Sequence, residues 1–164
     1  MKTLTKALAI GVLMVLLAAA PAIQGSSSGK HNQASAGCTC HSNAGGITAT
    51  NDFPTSYTAG QVYNINIGHT GGTQAFVGGF NVVVNKGTIQ NAGSGVQISG
   101  GTSATHTSSG QLGWTFDWQA PSAGSGTVSV NIAVLQANGN NQSSGDAWDI
   151  DSVSIPEIVV QNTP

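Results

Sequence analysis

The chain has 164 residues, enough for a single domain. Only 6% of them are charged, against about 25% in an ordinary soluble domain. The four basic residues are all lysines (2, 6, 30 and 86), too few to neutralise a phosphate backbone, which argues against nucleic acid as a partner.

Lys2 and Lys6 precede an apolar run from Ala7 to Ala20, and Ala20-Pro21-Ala22 then supplies small residues. A basic start, a short apolar stretch and small residues form a secretory signal, so residues 1–22 are expected to be cleaved after Ala22. The run falls short of the roughly 20 residues a membrane span needs. No second apolar segment follows, so the mature chain is expected to be exported and to have no membrane span. Its low charge leaves little electrostatic defence against self-association.

Residues 23–46 are dominated by Gly, Ser, Ala and Asn and read as a flexible, solvated tether. The tether holds His31 and the motif Gly37-Cys38-Thr39-Cys40-His41, which contains both cysteines of the chain. Two thiols followed by an imidazole suggest c-type haem attachment, in which the cysteines bond the haem vinyls and the histidine ligates iron. The usual spacing is Cys-x-x-Cys-His, one residue longer than this one. In an extended segment Cys38 and Cys40 face one side and His41 the other, so the backbone must bend to serve a haem. The same residues suit copper or zinc, given a fourth ligand. A Cys38–Cys40 disulfide is a further alternative.

From Ile47 onward the apolar period is two. Tyr63, Ile65 and Ile67, then Trp114, Phe116 and Trp118, then Val128, Val130, Ile132 and Val134 alternate with polar or small residues. Weaker strand signals cover 47–51, 75–84, 87–91, 96–99, 103–107, 147–155 and 157–160, separated by Gly- and Asn-rich turns. Seven to nine such strands predict an all-β chain, with residues 47–164 forming an antiparallel, immunoglobulin-like β-sandwich. Trp114 and Trp118 are expected in its core.

His69 ends the first alternating strand, and His106 precedes the loop to the Trp114 strand. Either supplies a second axial or fourth metal ligand from a rigid scaffold, whereas His31 lies in the tether and is the poorest choice. Asp146, Asp149 and Asp151 suggest a Ca²⁺ site or, more simply, a solvated polar strand edge. Asn141-Gln142-Ser143 is a glycosylation sequon in an expected surface loop. No Ser/His/Asp triad, paired catalytic carboxylates or phosphate-cradling loop is apparent, which leaves no catalytic residue to name.

The order of features resembles the exported choice-of-anchor V domains, which are Reeler-like β-sandwiches. The resemblance runs through Gly37–His41, Tyr57–Gln61, Gly79-Phe80, His106-Thr107, Trp114–Pro121 and Ala137–Asp146. It implies that Cys38, Cys40, His41 and His106 act together, as in a bis-His haem. The leading expectation is therefore an extracytoplasmic electron-transfer module with haem c on Cys38 and Cys40 and iron held by His41 and His106. A copper or zinc domain using the same residues is the first alternative. The second is a cofactor-free adhesion or assembly module. The expected partners are a redox protein or cell-surface proteins, with self-assembly also conceivable.

Overall fold

The computed structural model describes residues 26–72 and 77–159, so the expected signal at 1–22 lies outside the described residues. Nine strands follow in chain order: β1 (Ile47–Asn51), β2 (Val62–Gly71), β3 (Val77–Val84), β4 (Thr88–Gln90), β5 (Val96–Ser99), β6 (Ser103–His106), β7 (Trp114–Gln119), β8 (Val128–Ala137) and β9 (Ala147–Ile155). They form two antiparallel sheets, ordered β1-β2-β7-β4 and β5-β6-β3-β8-β9, as the alternating pattern predicts. The register pairs Tyr63 with Trp118, Ile65 with Phe116 and Ile67 with Trp114. Period-two alternation then sends each apolar set to one face.

Those faces meet in the core. Trp114, Phe116 and Trp118 from one sheet and Phe80, Val82, Val128, Val130, Ile132 and Val134 from the other are buried, while Tyr63 packs at the margin. Each fully buried side chain of this kind contributes roughly 1.5–3 kcal/mol. The aromatic contacts run across the layer: Phe80 stacks on Trp114 at a centroid distance of 4.7 Å.

Residues 157–159, expected within a strand, form only an isolated bridge in which Glu157 pairs with Tyr57. The Glu157 carboxylate instead accepts the Gly124 and Gly126 N–H groups at 2.8 and 3.0 Å, binding the segment to a turn rather than a ladder.

Both open sides of the sandwich are stitched. Asp149 of β9 accepts the Ala49 N–H of β1 at 2.8 Å, and Asp151 accepts from the Asn51 side chain at 2.9 Å. On the other side, the Ile89 N–H donates to the Gly101 carbonyl at 2.6 Å. The three carboxylates do not gather, since Asp149 and Asp151 serve the seam while Asp146 turns elsewhere, which leaves the Ca²⁺ alternative without a cluster. Nor is this edge freely solvated, because its carboxylates lie half-buried against β1. Asp149→Ala should lower stability by about 1 kcal/mol, the scale of one lost hydrogen bond. It should also promote association through the released edge. Light scattering of the variant against wild type checks the second effect, and an unchanged oligomer profile would contradict it.

Residues 26–46 do not run free as their composition suggests. They form a strap across the outer face of the five-stranded sheet. A 3-10 turn, Ala34–Ala36, buries Ala34 completely. The Gln33 N–H donates to Asn81 Oδ1 at 2.8 Å, and the Asn32 N–H donates to Ser103 Oγ at 3.2 Å. Ser42 and Ala44 donate backbone N–H groups to the carbonyls of Ser143 and Asp146, both at 2.7 Å. Gly37 holds φ at 72°, and a Cβ there would lie 2.6 Å from the Trp148 ring, so both conformation and space call for glycine. The strap is polar because its partners are polar; it satisfies backbone groups through the sheet's side chains instead of through water.

Candidate cofactor site

The strap bends at the motif. The His41 N–H donates to the Cys38 carbonyl at 2.8 Å, closing a four-residue turn over Cys38–His41. This supplies the backbone bend that the short spacing requires. Cys38, Cys40 and His41 line one cleft together with Phe80, Leu135 and His106. Four residues from two distant segments thus line the same cleft. Both cysteines are free thiols. Burial first, and the neighbouring Cys40 second, push the Cys38 thiol up to about 12, so it stays protonated at neutral pH.

His41 is oriented by a partner that sequence reasoning assigned differently. Its Nδ1 lies 2.6 Å from Asp146 Oδ2, and the Asp146 side chain is fully buried. The other carboxylate oxygen accepts the Asn138 N–H at 2.9 Å. The His41 carbonyl accepts the Trp148 indole N–H at 3.2 Å. A carboxylate on Nδ1 fixes the ring and its tautomer with Nε2 left as the free ligating atom, an arrangement typical of histidines that hold a metal. The carboxylate and imidazole also match two parts of a hydrolytic triad. A half-buried Cys38 held protonated is, however, a poor nucleophile.

His106 occupies the place where β6 ends. The β3–β6 register stops at Asn81 and Thr105, and the Phe80 N–H donates to His106 Nδ1 at 3.1 Å instead of to a strand carbonyl. One side of the ring faces the core, 6.3 Å from the Trp114 centroid. Toward the outer face it crosses Gly79, where a Cβ would lie 2.5 Å from Cε1, so only glycine lets the imidazole reach the cleft. The Phe80 carbonyl lies 3.3 Å from the same Nδ1. With Nδ1 accepting the Phe80 N–H, the neutral ring carries its proton on Nε2, and ligation through Nε2 would require that proton to move to Nδ1, the bond from the Phe80 N–H being given up for one to the Phe80 carbonyl.

The other candidates separate from this cluster. His69 is not among the residues lining the cleft, and both its ring nitrogens are buried. His31 Nδ1 bonds Ser103 Oγ at 3.2 Å and serves the strap. Asn141 is exposed in its loop, as the sequon reading expects. Among the described residues, no three His, Cys, Asp or Glu side chains gather as a ready metal site. No described helix is long and apolar enough to cross a membrane.

Burial pushes both His69 and His106 below the ordinary imidazole value of 6.5, the first against an opposing backbone bond with Thr70 and the second against backbone bonds with Phe80 and Ser26. As pH falls through 6.5, the unfolded chain therefore takes up protons before the folded one, and stability present above that pH is lost below it. The urea midpoint should fall between about pH 7.5 and about pH 5.5, and His69→Asn should flatten the decline. An equally steep decline in the variant would remove His69 from the account.

Comparison by sequence finds no matching family profile and no matching curated protein. Comparison by structure finds the Reeler domain of human F-spondin (fragment 2), with a TM-score of 0.50 and 16% identity over 72% of this chain and 91% of that one. The Reelin-N domain of F-spondin gives a TM-score of 0.47 and 16% identity over 71% of this chain and 83% of that one. A cohesin module from a Clostridium perfringens family 33 glycoside hydrolase gives 0.44 and 11%, over 70% of this chain and all (100%) of that one. The fold is a Reeler-like β-sandwich. At such identity the likeness extends to fold alone.

Proposed function

We propose that this chain is an exported electron-relay module of the choice-of-anchor V type, carrying haem c. Cys38 and Cys40 would be the attachment points, and His41 and His106 would hold the iron. The observation that supports this reading best is the convergence of all four on one cleft, with the motif bent and His41 oriented by Asp146. When bound, the haem supplies one-electron chemistry, and two histidine ligands leave no open position for a substrate.

The chain's own residues do the remaining work. Cys38 and Cys40 would hold the group through thioether bonds. Cys38 suits that end state, because a thioether carries no charge and loses nothing by burial. The same burial opposes the copper or zinc reading, in which Cys38 has to ionise to ligate. Phe80 and Leu135 give the cleft apolar walls that exclude water. The signal at 1–22 would deliver the chain outside the cytoplasm, where a redox protein or a cell-surface protein is its partner.

One observation favours a cofactor-free binding module instead. His106 already has a hydrogen bond from Phe80 and meets the Ser26 backbone, as a purely structural histidine does.

Export of the chain in a host competent for cytochrome c maturation separates the two. A Soret band that stays with the polypeptide on a denaturing gel is expected, together with its loss in Cys38→Ser/Cys40→Ser while the β circular dichroism is kept. A colourless wild-type protein beside a matured control cytochrome would end the haem reading. Stoichiometric copper or zinc in that protein would promote the metal site.

A further inference from the structure

Two clefts meet at the His41 and His106 side chains. The first, about 110 Å³, holds Cys38, Cys40 and Lys30. The second, about 500 Å³, shares His41, His106, Ser26 and Leu135 with the first but contains neither cysteine. Its size falls within the range of ordinary ligand sites. The two histidines are therefore a common wall between a small compartment bearing the thiols and a larger one without them.

The chemistry of the second compartment is distinctive. Ser27, Ser109, Asn141 and Gln142 line it with neutral hydroxyl and amide groups. Lys30 lies only on the first cleft, and no lysine is among the described residues lining the second. Asp146 also borders it, but its two oxygens are taken by His41 and Asn138, and it is 1% exposed. Donors from the exposed hydroxyls and amides are thus unopposed by a free carboxylate.

A tetrapyrrole bonded through its vinyl edge carries its acidic side chains on the opposite edge. With the vinyl edge at Cys38 and Cys40, the cleft that adjoins theirs at His41 and His106 would be the one open to the acidic edge. We propose that this cleft is a carboxylate pocket built from neutral donors, which receives the acidic edge of the tetrapyrrole and sets its orientation between His41 and His106. The inference rests on the haem reading above and adds the direction in which the ring lies. Neutral donors satisfy a carboxylate without cancelling its charge, so the pocket discriminates by hydrogen bonding more than by attraction.

The test uses the mature chain isolated before haem attachment, titrated by absorbance with iron(III) protoporphyrin IX and with its dimethyl ester. Asn141→Asp/Gln142→Glu keeps shape and places two negative charges in the exposed loop, where either residue is tolerated. The double variant should bind the free acid about fivefold more weakly, the scale of exposed charge interactions, and the ester unchanged. Gln61→Glu, exposed and on neither cleft, should leave both affinities alone. Equal effects on acid and ester, or none on either, would overturn the pocket. So would a loss of acid binding confined to Lys30→Glu, which would put the acidic edge in the first cleft. Failure of wild type to bind either porphyrin would overturn the haem reading itself, and the pocket with it.

Discussion

Asp146→Ala is expected to destabilise the protein by about 2–3 kcal/mol and to free the strap before the sandwich unfolds. Two bonds to a buried ionised carboxylate disappear together, one from His41 at 2.6 Å and one from Asn138 at 2.9 Å. Hydrogen bonds to charged groups contribute about 1.5–3 kcal/mol each. The His41 side chain is 18% exposed, so water recovers part of that loss and the sum is discounted. Hydrogen exchange should rise in residues 26–46 while β3 and β8 keep their protection. In a haem-loaded protein, loss of such a partner weakens ligation about 10–100-fold. The His41–iron bond should then be displaced by an added ligand such as imidazole at lower concentration than in wild type. Unchanged exchange in the strap would show that Asp146 does not hold it.

Trp118→Ala should have the largest effect, about 4 kcal/mol, within the range for removing a buried aromatic side chain. Trp118 is fully buried and meets three rings: Phe53 at 5.8 Å and Tyr57 at 6.0 Å edge-on, and Tyr63 stacked at 5.7 Å. Its indole N–H donates to the Lys86 carbonyl at 3.2 Å, so truncation also orphans a turn. Against a total stability of about 5–15 kcal/mol, the variant approaches unfolding at ambient temperature. Urea denaturation followed by circular dichroism measures it. Trp148→Ala is the contrast, since Trp148 lies on the outer face against Gly37 and should loosen the strap with a small change in midpoint. Equal losses for the two would mean that the strap and the sandwich unfold as one unit.

The core was legible because its signal is local. Ile65 and Ile67, or Trp114, Phe116 and Trp118, declare their face within a few residues, and nothing distant alters it. The strap was misread for the opposite reason. Gln33 bonds a residue 48 positions away and His41 one 105 away, and no window of sequence spans either separation. Glycine and serine read as solvated when their partners are out of view. Asp146, Asp149 and Asp151 look like one cluster by spacing, yet Asp146 turns to the strap and the other two to β1. Residues 157–159 carry strand-like composition, but the Gly124 and Gly126 N–H groups capture the Glu157 carboxylate and hold the segment at the turn. Cys38, Cys40 and His41 were nameable from residue type, and the resemblance set His106 apart from His69; that all four line one cleft depends on where β6 stops and on the missing Cβ at Gly79.

The long separation between His41 and Asp146 also sets a clock. A chain is made from its N-terminus, so Cys38 and Cys40 emerge well before the residues that hold the strap. At about 5–20 residues per second, the 105 positions between His41 and its carboxylate partner take roughly 5–20 s to synthesise. Docking then desolvates Cys38 and pushes its thiol up to about 12, closing it to reaction. Any covalent change at these cysteines accordingly has its best opportunity before the segment docks on its sheet.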